Sequence, residues 1–156
     1  MTNMAPTESF PILLVEDDSE DVMITRRAFT KAQIKNPLYV VRDGEDALEF
    51  LHHRGDYAPP DAPPRPGLIL LDLNLPRVDG REVLDHIKHD ECLHDIPVVV
   101  LTTSNEEADV RGCYEKGANT YIVKPVDYTN FLEAVVTIGE YWLTVAHAPV
   151  AAEKCG

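Results

Sequence analysis

Positive charge is scarce in this 156-residue chain, in which 14 lysine and arginine residues face 27 aspartate and glutamate residues, for a net charge of −13. A protein that binds nucleic acid needs a basic face to displace phosphate counterions, so this composition argues against DNA or RNA as a partner. It also gives no reason to expect binding to anionic lipid. We therefore expect neither a nucleic acid nor a membrane among its partners.

Long apolar runs are missing as well. No run approaches the roughly 20 residues that a membrane-spanning helix needs. The first residues, MTNMAPTES, lack the basic-then-apolar order of a secretion signal. We expect a cytoplasmic protein, and its length suits one domain with one core.

Cysteine is rare, with only Cys92, Cys113 and Cys155 present and no CxxC pair among them. An odd number of cysteines at wide spacing indicates neither a disulfide framework nor a zinc site. We expect Cys113 to be a helix-packing residue.

Five short apolar runs, each rich in valine, isoleucine or leucine, stand out along the chain. Apolar and polar residues do not alternate within them, which is typical of strands buried on both faces. Amphipathic stretches of helical length lie between the runs. The predicted strands are residues 10–15, 38–41, 68–71, 98–101 and 121–123.

Capping residues support this division of the chain. Asp18 or Ser19 could cap the first helix and Asp43 the second, while Gly117 follows the fourth helix where a left-handed C-cap is expected. Crossovers between parallel strands are right-handed, so five β-α units predict a doubly wound α/β fold. We expect a five-stranded parallel sheet with helices on both faces.

The domain is expected to span residues 10–146, with flexible segments at 1–9 and 147–156 because these show little periodicity. Residues 55–66, GDYAPPDAPPRP, are too rich in proline for a helix or a central strand. They predict a long surface loop before the third strand, either a tolerated insertion or a contact for a partner.

Polar residues follow the predicted strands at the points where the strands end. Ligands of open parallel sheets bind beyond the carboxyl ends of the strands, so these residues predict one functional site. Each of them alone could be an ordinary cap or surface residue. They are Glu16, Asp17 and Asp18 after the first strand, Asp72 after the third, Thr102, Thr103 and Ser104 after the fourth, and Lys124 after the fifth.

The acidic residues of this group predict a metal ion. Glu16, Asp17 and Asp72 would bring three negative charges into a partly desolvated cleft, where they could not all stay ionised without a cation. One lysine cannot neutralise three carboxylates, whereas a divalent ion can, and hard oxygen ligands suit Mg²⁺. Because no histidine or cysteine accompanies them, zinc is disfavoured.

This layout resembles the receiver domains of bacterial response regulators over about residues 10–143. The matching motifs are the acidic pair Glu16-Asp17, Asp72 in LLDLNLPRVDG, Thr102 in PVVVLTTS, and Lys124-Pro125 in YIVKP. The resemblance implies a flavodoxin-like (βα)5 fold. It also implies a single-domain response regulator that accepts a phosphoryl group from a sensor histidine kinase and signals through protein contacts.

The resemblance assigns roles at the metal site. It implies that Asp72 is the phosphoacceptor and that Asp17 and Asp72 bind Mg²⁺ directly, together with the backbone carbonyl of Asn74. Glu16 would act mostly through water. An aspartyl carboxylate is a competent nucleophile toward phosphorus when the charge on the transferring group is offset, so the chemistry agrees with this assignment.

The resemblance also assigns a switch. Thr102 and Lys124 would hold the phosphoryl oxygens, and Tyr121 would be the aromatic residue that turns inward on activation, into space that Thr102 vacates. The Lys124–Pro125 peptide bond is expected to be cis, as in that family.

Three further features resemble the small regulators that are paired with bacterial phytochromes. They are the long loop before the third strand, the segment DLNLPRVDGREVL and the final GEYWLTV. The resemblance implies a light-regulated histidine kinase as the phosphoryl donor.

The last predicted helix is apolar around much of its circumference, more than one sheet face can cover. We expect a homodimer through the fourth helix, fifth strand and fifth helix, with Phe131, Val135, Tyr141 and Trp142 at the interface. The alternative is that the chain end or a neighbouring helix covers the excess.

Two histidine pairs, His52-His53 and His86-x-x-His89, could be taken for metal ligands. Because no further ligand converges on them in the sequence, we expect a solvated face instead. No histidine follows a predicted strand, so a phosphohistidine role has no support.

Two other readings of the site stay open. Phosphatases with an aspartate nucleophile place a second acid two residues after the first, where this chain has Asn74, so we expect no enzyme with fast turnover. A degenerate receiver that only binds partners would not need Asp72, Asp17, Thr102 and Lys124, all of which are present.

Overall fold

The computed structural model describes residues 10–145, without the side chains of residues 144 and 145, and it has the predicted (βα)5 architecture. One parallel sheet has the strand order β2-β1-β3-β4-β5. Its strands are β1 Ile12–Val15, β2 Leu38–Val41, β3 Leu68–Leu71, β4 Val98–Thr102 and β5 Thr120–Val123. The helices are α1 Ser19–Lys31, α2 Gly44–His52, α3 Gly80–His89, α4 Glu107–Glu115 and α5 Tyr128–Glu140. The expected flexible segments 1–9 and 147–156 lie outside the described residues.

The sheet separates two hydrophobic cores, which explains why its strands do not alternate apolar with polar residues. Leu13 and Val15 face one core, beneath α2, α3 and α4, while Ile12 and Leu14 face the other, beneath α1 and α5. Successive side chains of a strand point to opposite faces, so a strand covered on both sides must be apolar at every position. None of the helices that the structure describes is both long enough and apolar enough to span a membrane.

The predicted caps are confirmed. The Asp18 carboxylate accepts hydrogen bonds from the backbone amides of Glu20 and Asp21, and that of Asp43 accepts one from Asp46. Gly117 follows α4 and has a φ of 104°, in the left-handed region that residues with a side chain rarely adopt. Capping residues that can be recognised in the sequence therefore mark where these helices begin and end.

The proline-rich loop before β3 begins with a short 3-10 helix, Gly55–Tyr57, where the sequence predicted irregular structure. The Tyr57 hydroxyl donates to the Asp46 carboxylate over 3.0 Å, and its ring meets Phe50 edge-on at 5.2 Å. An aromatic anchor on α2 thus holds the first part of the loop against the domain.

Two predictions about covalent geometry are wrong. Among the described residues only the Pro59–Pro60 bond is cis, so the Lys124–Pro125 bond is trans. The two forms of a bond before proline differ by only about 0.5–1 kcal/mol, which a sequence motif does not decide. Cys92 is disulfide-bonded, whereas the cysteine spacing indicated no disulfide framework. The prediction failed because spacing along a chain does not report which cysteines meet in space. Cys113 is free and buried, as expected.

Gly80 offers a test of how tightly α3 packs on the end of β3. A methyl group there would lie 2.2 Å from the carbonyl oxygen of Asp72 and 2.6 Å from the Cα of Leu73, and neither backbone atom can move aside alone. We expect Gly80→Ala to lower the free energy of unfolding by about 1–3 kcal/mol, as measured by urea denaturation.

Gly112→Ala in the middle of α4 is the matched control, because among the described residues no heavy atom outside the helix's own backbone and the adjacent residues lies within 4 Å of the added methyl group. It should raise the stability by about 0.5–1 kcal/mol, since alanine is the better helix former. Equal effects of the two substitutions would contradict the close contact at Gly80.

Candidate functional site

The register of the sheet brings the predicted site residues together. Val15 of β1 pairs with Leu71 of β3, so the next residues, Glu16 and Asp72, leave adjacent strands side by side. Thr102 is the last residue of β4, and its carbonyl accepts a hydrogen bond from the backbone amide of Lys124 over 2.7 Å. Strand ends that lie far apart in sequence therefore meet at one edge of the sheet, as predicted.

Lys124 forms the centre of this edge. Its ammonium donates to Glu16 Oε1 at 2.6 Å, to Asp21 Oδ2 at 2.7 Å and to Asp72 Oδ2 at 3.2 Å. The Lys124 side chain is only 4% exposed, so these ion pairs lie largely out of water. Charge-assisted hydrogen bonds of this kind hold the three carboxylates around one point.

Glu16, Asp17 and Asp72 form the predicted acidic cluster. Each can offer one carboxylate oxygen, and these oxygens lie within 4.8 Å of one another. Glu16 and Asp72 are buried whereas Asp17 is exposed, so the cluster has one side open to water. Hard oxygen donors with room for water ligands fit a divalent ion such as Mg²⁺.

The cluster perturbs the pKa of two of its members. Burial raises the pKa of Glu16 to about 7, against the opposing hydrogen bond and charge of Lys124, and the charge of Asp72 adds to the rise. Burial lowers the pKa of Lys124, but its hydrogen bonds to Asp21 and Glu16 outweigh this effect and leave the pKa raised. Lys124 therefore stays charged, while Glu16 can take up a proton near neutral pH.

The Thr102 hydroxyl is buried without a hydrogen-bond partner, the one such side-chain atom among the described residues. An unsatisfied buried hydroxyl costs about 1–3 kcal/mol, so it needs a functional explanation. Asn74 also contributes to the site, because its backbone amide donates to Asp72 Oδ1 over 3.3 Å. Donors, acids and one cation thus surround the Asp72 carboxylate.

The chain is similar to known proteins over most of its length. The family model described as the response regulator receiver domain matches residues 12–136. The chain belongs to this family. The two-component resemblance drawn from its motifs is thereby confirmed, as is the fold class.

Two relatives match the receiver domain over most of its length. Response regulator Rcp1 from Synechocystis sp. is 44% identical over 140 residues, which cover 90% of this chain and 93% of Rcp1. The probable methanogenesis regulatory protein FilR2 from Methanothrix harundinacea is 41% identical over 144 residues, which cover 91% of this chain and 89% of FilR2.

Solved structures of such relatives superimpose closely on the receiver domain. The Mn²⁺-bound form of Rcp1 has a TM-score of 0.85 at 42% identity, covering 90% of this chain and 99% of that one. The phosphorylated cyanobacterial phytochrome response regulator RcpA has a TM-score of 0.85 at 42% identity, covering 91% and 99%.

Tyr121, the predicted switch residue of the receiver domain, is half-buried, and its hydroxyl donates to the backbone carbonyl of Ser104 over 2.9 Å. The Ser104 hydroxyl in turn donates to Asp109 on α4 over 2.6 Å. Asp109 also accepts two hydrogen bonds from Arg81 on α3, at 2.8 and 2.7 Å. The hydrogen bonds from Arg81, and to a lesser extent the one from Ser104, lower the pKa of Asp109 to about 2.

Sequence reasoning missed both Asp21 and this Arg81–Asp109 pair. Asp21 lies in the first turn of α1, three residues after the N-cap Asp18, so its closeness to the strand end offered a signal for it. The pair joins α3 to α4, and nothing in the sequence shows that two charged residues on different helices meet.

Two of the four predicted interface residues are wrong. Phe131 and Val135 are 4% and 0% exposed and pack into the core beneath α1 and α5, so they are not available to a partner. Tyr141 is 53% exposed, and its ring meets that of half-buried Trp142 at 5.4 Å. The apolar circumference of α5 is partly covered by α1 and the residues that follow it. A methyl group at Gly139 would lie 2.4 Å from Ile34 Cδ1 and 3.5 Å from the Phe29 ring.

The raised pKa of Glu16 predicts a stability that depends on both pH and metal. The folded state binds the Glu16 proton more tightly than the unfolded state does, so this contribution is present at low pH and lost as pH rises through about 7. In metal-free buffer we expect the free energy of unfolding to fall between about pH 5 and about pH 8. Added Mg²⁺ should reduce that fall by neutralising the carboxylates.

Glu16→Gln is the control for this measurement, since glutamine cannot titrate but can still accept a hydrogen bond from Lys124. Urea denaturation at several pH values should give a flatter pH profile for the variant. An unchanged slope would show that another group causes the pH dependence.

Proposed function

We propose that this receiver domain accepts a phosphoryl group on Asp72 from a sensor histidine kinase and signals through its protein-binding surface. The observation that carries the proposal is the setting of the Asp72 carboxylate. It lies 3.2 Å from the Lys124 ammonium, within the acidic cluster, and at the sheet edge that holds the unpaired Thr102 hydroxyl. Phosphoryl transfer needs positioned charge more than covalent machinery, and this edge supplies it.

The metal of this proposal is Mg²⁺, held by Asp17, Asp72 and the backbone carbonyl of Asn74, with Glu16 acting through water. When bound, the ion would offset negative charge on the acceptor and on the transferring group. The oxygen ligands of the acidic cluster support the choice, as does the Mn²⁺-bound form of the similar Rcp1. Mn²⁺ and Mg²⁺ share a preference for carboxylate and water ligands.

Lys124 and Thr102 are the residues proposed to hold the phosphoryl oxygens. Lys124 already donates to Asp72, so its ammonium can follow that oxygen as negative charge accumulates. The buried Thr102 hydroxyl would gain a partner, which removes the cost of leaving it unsatisfied.

The same contact would start the switch. Thr102 is joined to Ser104 by two peptide bonds, and Ser104 holds both the Tyr121 hydroxyl and Asp109. A shift of Thr102 toward the phosphoryl group would therefore displace the partner of Tyr121. Asp109 and Arg81 would carry the change to α4 and α3, so a local charge event becomes a change of surface.

The proposed donor is a cytoplasmic histidine kinase of the phytochrome kind. The support is the similarity to the cyanobacterial phytochrome response regulator RcpA and to the bacteriophytochrome response regulator RtBRR, each 42% identical. We propose no nucleic-acid or membrane partner, in keeping with the net charge of −13. We propose no turnover of external substrates, since Asn74 cannot act as an acid or base.

Phosphorylation of Asp72 can be measured directly. Incubation with acetyl phosphate and Mg²⁺ should add the mass of one phosphoryl group to the intact wild-type chain, and Asp72→Asn should abolish the gain because an amide is not a nucleophile at phosphorus. The control is Asp61→Asn, an exposed loop aspartate far from the site in sequence, which should behave as wild type. Phosphorylation of the Asp72→Asn variant at the wild-type rate would refute the assignment.

We also propose a homodimer through α4, β5 and α5. β5 is an edge strand, and four apolar or aromatic residues on these elements and directly after α5 are well exposed: Tyr114, Val123, Tyr128 and Tyr141. Exposed apolar surface at a sheet edge is a typical site of association.

Light scattering tests the dimer with and without acetyl phosphate. Val123→Glu should shift the protein toward monomer, because it places a charge at the centre of the proposed interface. Met23→Glu is the control, since Met23 on α1 is similarly exposed at 46% against 41% for Val123. A strict monomer at high concentration in both states would rule the dimer out.

A further inference from the structure

Two histidines that are 34 residues apart meet on the surface between α2 and α3. His52 is the last residue of α2, and His86 lies in the last turn of α3. Their Nε2 atoms are 2.7 Å apart, and their rings stand at 88° to each other with centroids 4.9 Å apart. The sequence pattern predicted no convergence here, because spacing along the chain does not report contacts between helices.

An oriented carboxylate completes this group. Asp90 caps the carboxyl end of α3, and its Oδ1 accepts hydrogen bonds from the backbone amides of Cys92 and Leu93 at 2.8 and 3.1 Å. Its other oxygen, Oδ2, lies 3.8 Å from His52 Nε2. One nitrogen from each histidine and one Asp90 oxygen all lie within 4.8 Å of one another.

The chemistry of the three groups is that of a metal-binding triad. Two imidazole nitrogens that face each other can share one hydrogen only if at least one ring is neutral, and neutral imidazole is the ligand form. Burial lowers the pKa of His52, which favours that form. The backbone amides hold Asp90 in place as outer-shell partners hold metal ligands.

The geometry also suits a cation. Tetrahedral zinc with bonds of about 2.0–2.1 Å to nitrogen places two such nitrogens about 3.3 Å apart, so a small rotation of the exposed His86 ring would make room. The group lies at the carboxyl ends of α2 and α3. These are the negative ends of the helix dipoles, and they favour a bound cation. Arg54 lies near His52 and opposes a cation, but two histidines and one carboxylate outweigh one exposed arginine.

We propose that His52, His86 and Asp90 form a binding site for a divalent first-row transition metal ion, with zinc as its probe. Three protein ligands leave a fourth position for water or an external ligand. The ion would join the carboxyl-terminal ends of α2 and α3. These ends lie at the edge of the sheet opposite Asp72, since each helix runs back from the carboxyl ends of the strands, so the site is independent of phosphorylation.

Equilibrium dialysis and calorimetric titration of the full chain with zinc chloride, in excess Mg²⁺, test the proposal. Excess Mg²⁺ competes with zinc for the oxygen ligands of the acidic cluster, whereas imidazole ligands suit zinc and not Mg²⁺. We expect one zinc ion per chain, and binding at least about tenfold weaker in His52→Gln, His86→Ala and Asp90→Asn, since each loses a ligand. Cobalt in place of zinc should give the visible absorption of a four-coordinate site, which His86→Ala loses.

Two controls separate this site from the others. His94→Ala removes an exposed histidine outside the group and should bind zinc as wild type does. Asp72→Asn should also keep zinc, while His86→Ala should keep the mass gain with acetyl phosphate. If His86→Ala does not fold, His86→Gln takes its place, and circular dichroism checks the folding of both variants. Zinc binding that is unchanged in folded His86 variants, or that is lost equally in His94→Ala, would overturn the proposal.

Discussion

A single buried ammonium group organises the edge of the sheet at which the candidate site lies. Lys124 holds Glu16, Asp21 and Asp72 around one point, and these carboxylates lie after β1, in α1 and after β3. Removing one partner from such a buried group is strongly destabilising, by about 3–5 kcal/mol, because charge is then left uncompensated. The excess of acid over base at this edge also explains why a divalent cation fits, since one lysine balances only one of the three charges.

Most of the fold could be predicted because its signals are local. Continuous apolar runs reflect strands covered on both faces, and Asp18, Asp43 and Gly117 report helix ends through capping chemistry that acts over a few residues. The strand-end rule then located Glu16, Asp72, Thr102 and Lys124 without knowledge of any contact. The topology of the sheet can therefore be predicted from the sequence more readily than the contacts between side chains.

What could not be predicted depends on contacts between elements. Phe131 and Val135 look available on an isolated helix, and only the packing of α5 on the sheet shows that they are buried. The same holds for Arg81 with Asp109 and for His52 with His86, where the partners lie on different helices. The isomer of the Lys124–Pro125 bond depends on a small energy difference that the whole environment decides.

The position of β5 at the edge of the sheet has a consequence for information flow. Lys124 directly follows a strand with only one neighbour, next to the exposed Val123. A protein that docks on β5 therefore contacts the backbone that carries the Lys124 ammonium, from the side opposite to Asp72. Suppose that a docked protein and a ligand at Asp72 both prefer the same position of Lys124. Thermodynamic reciprocity then requires that each raises the affinity of the other by the same factor.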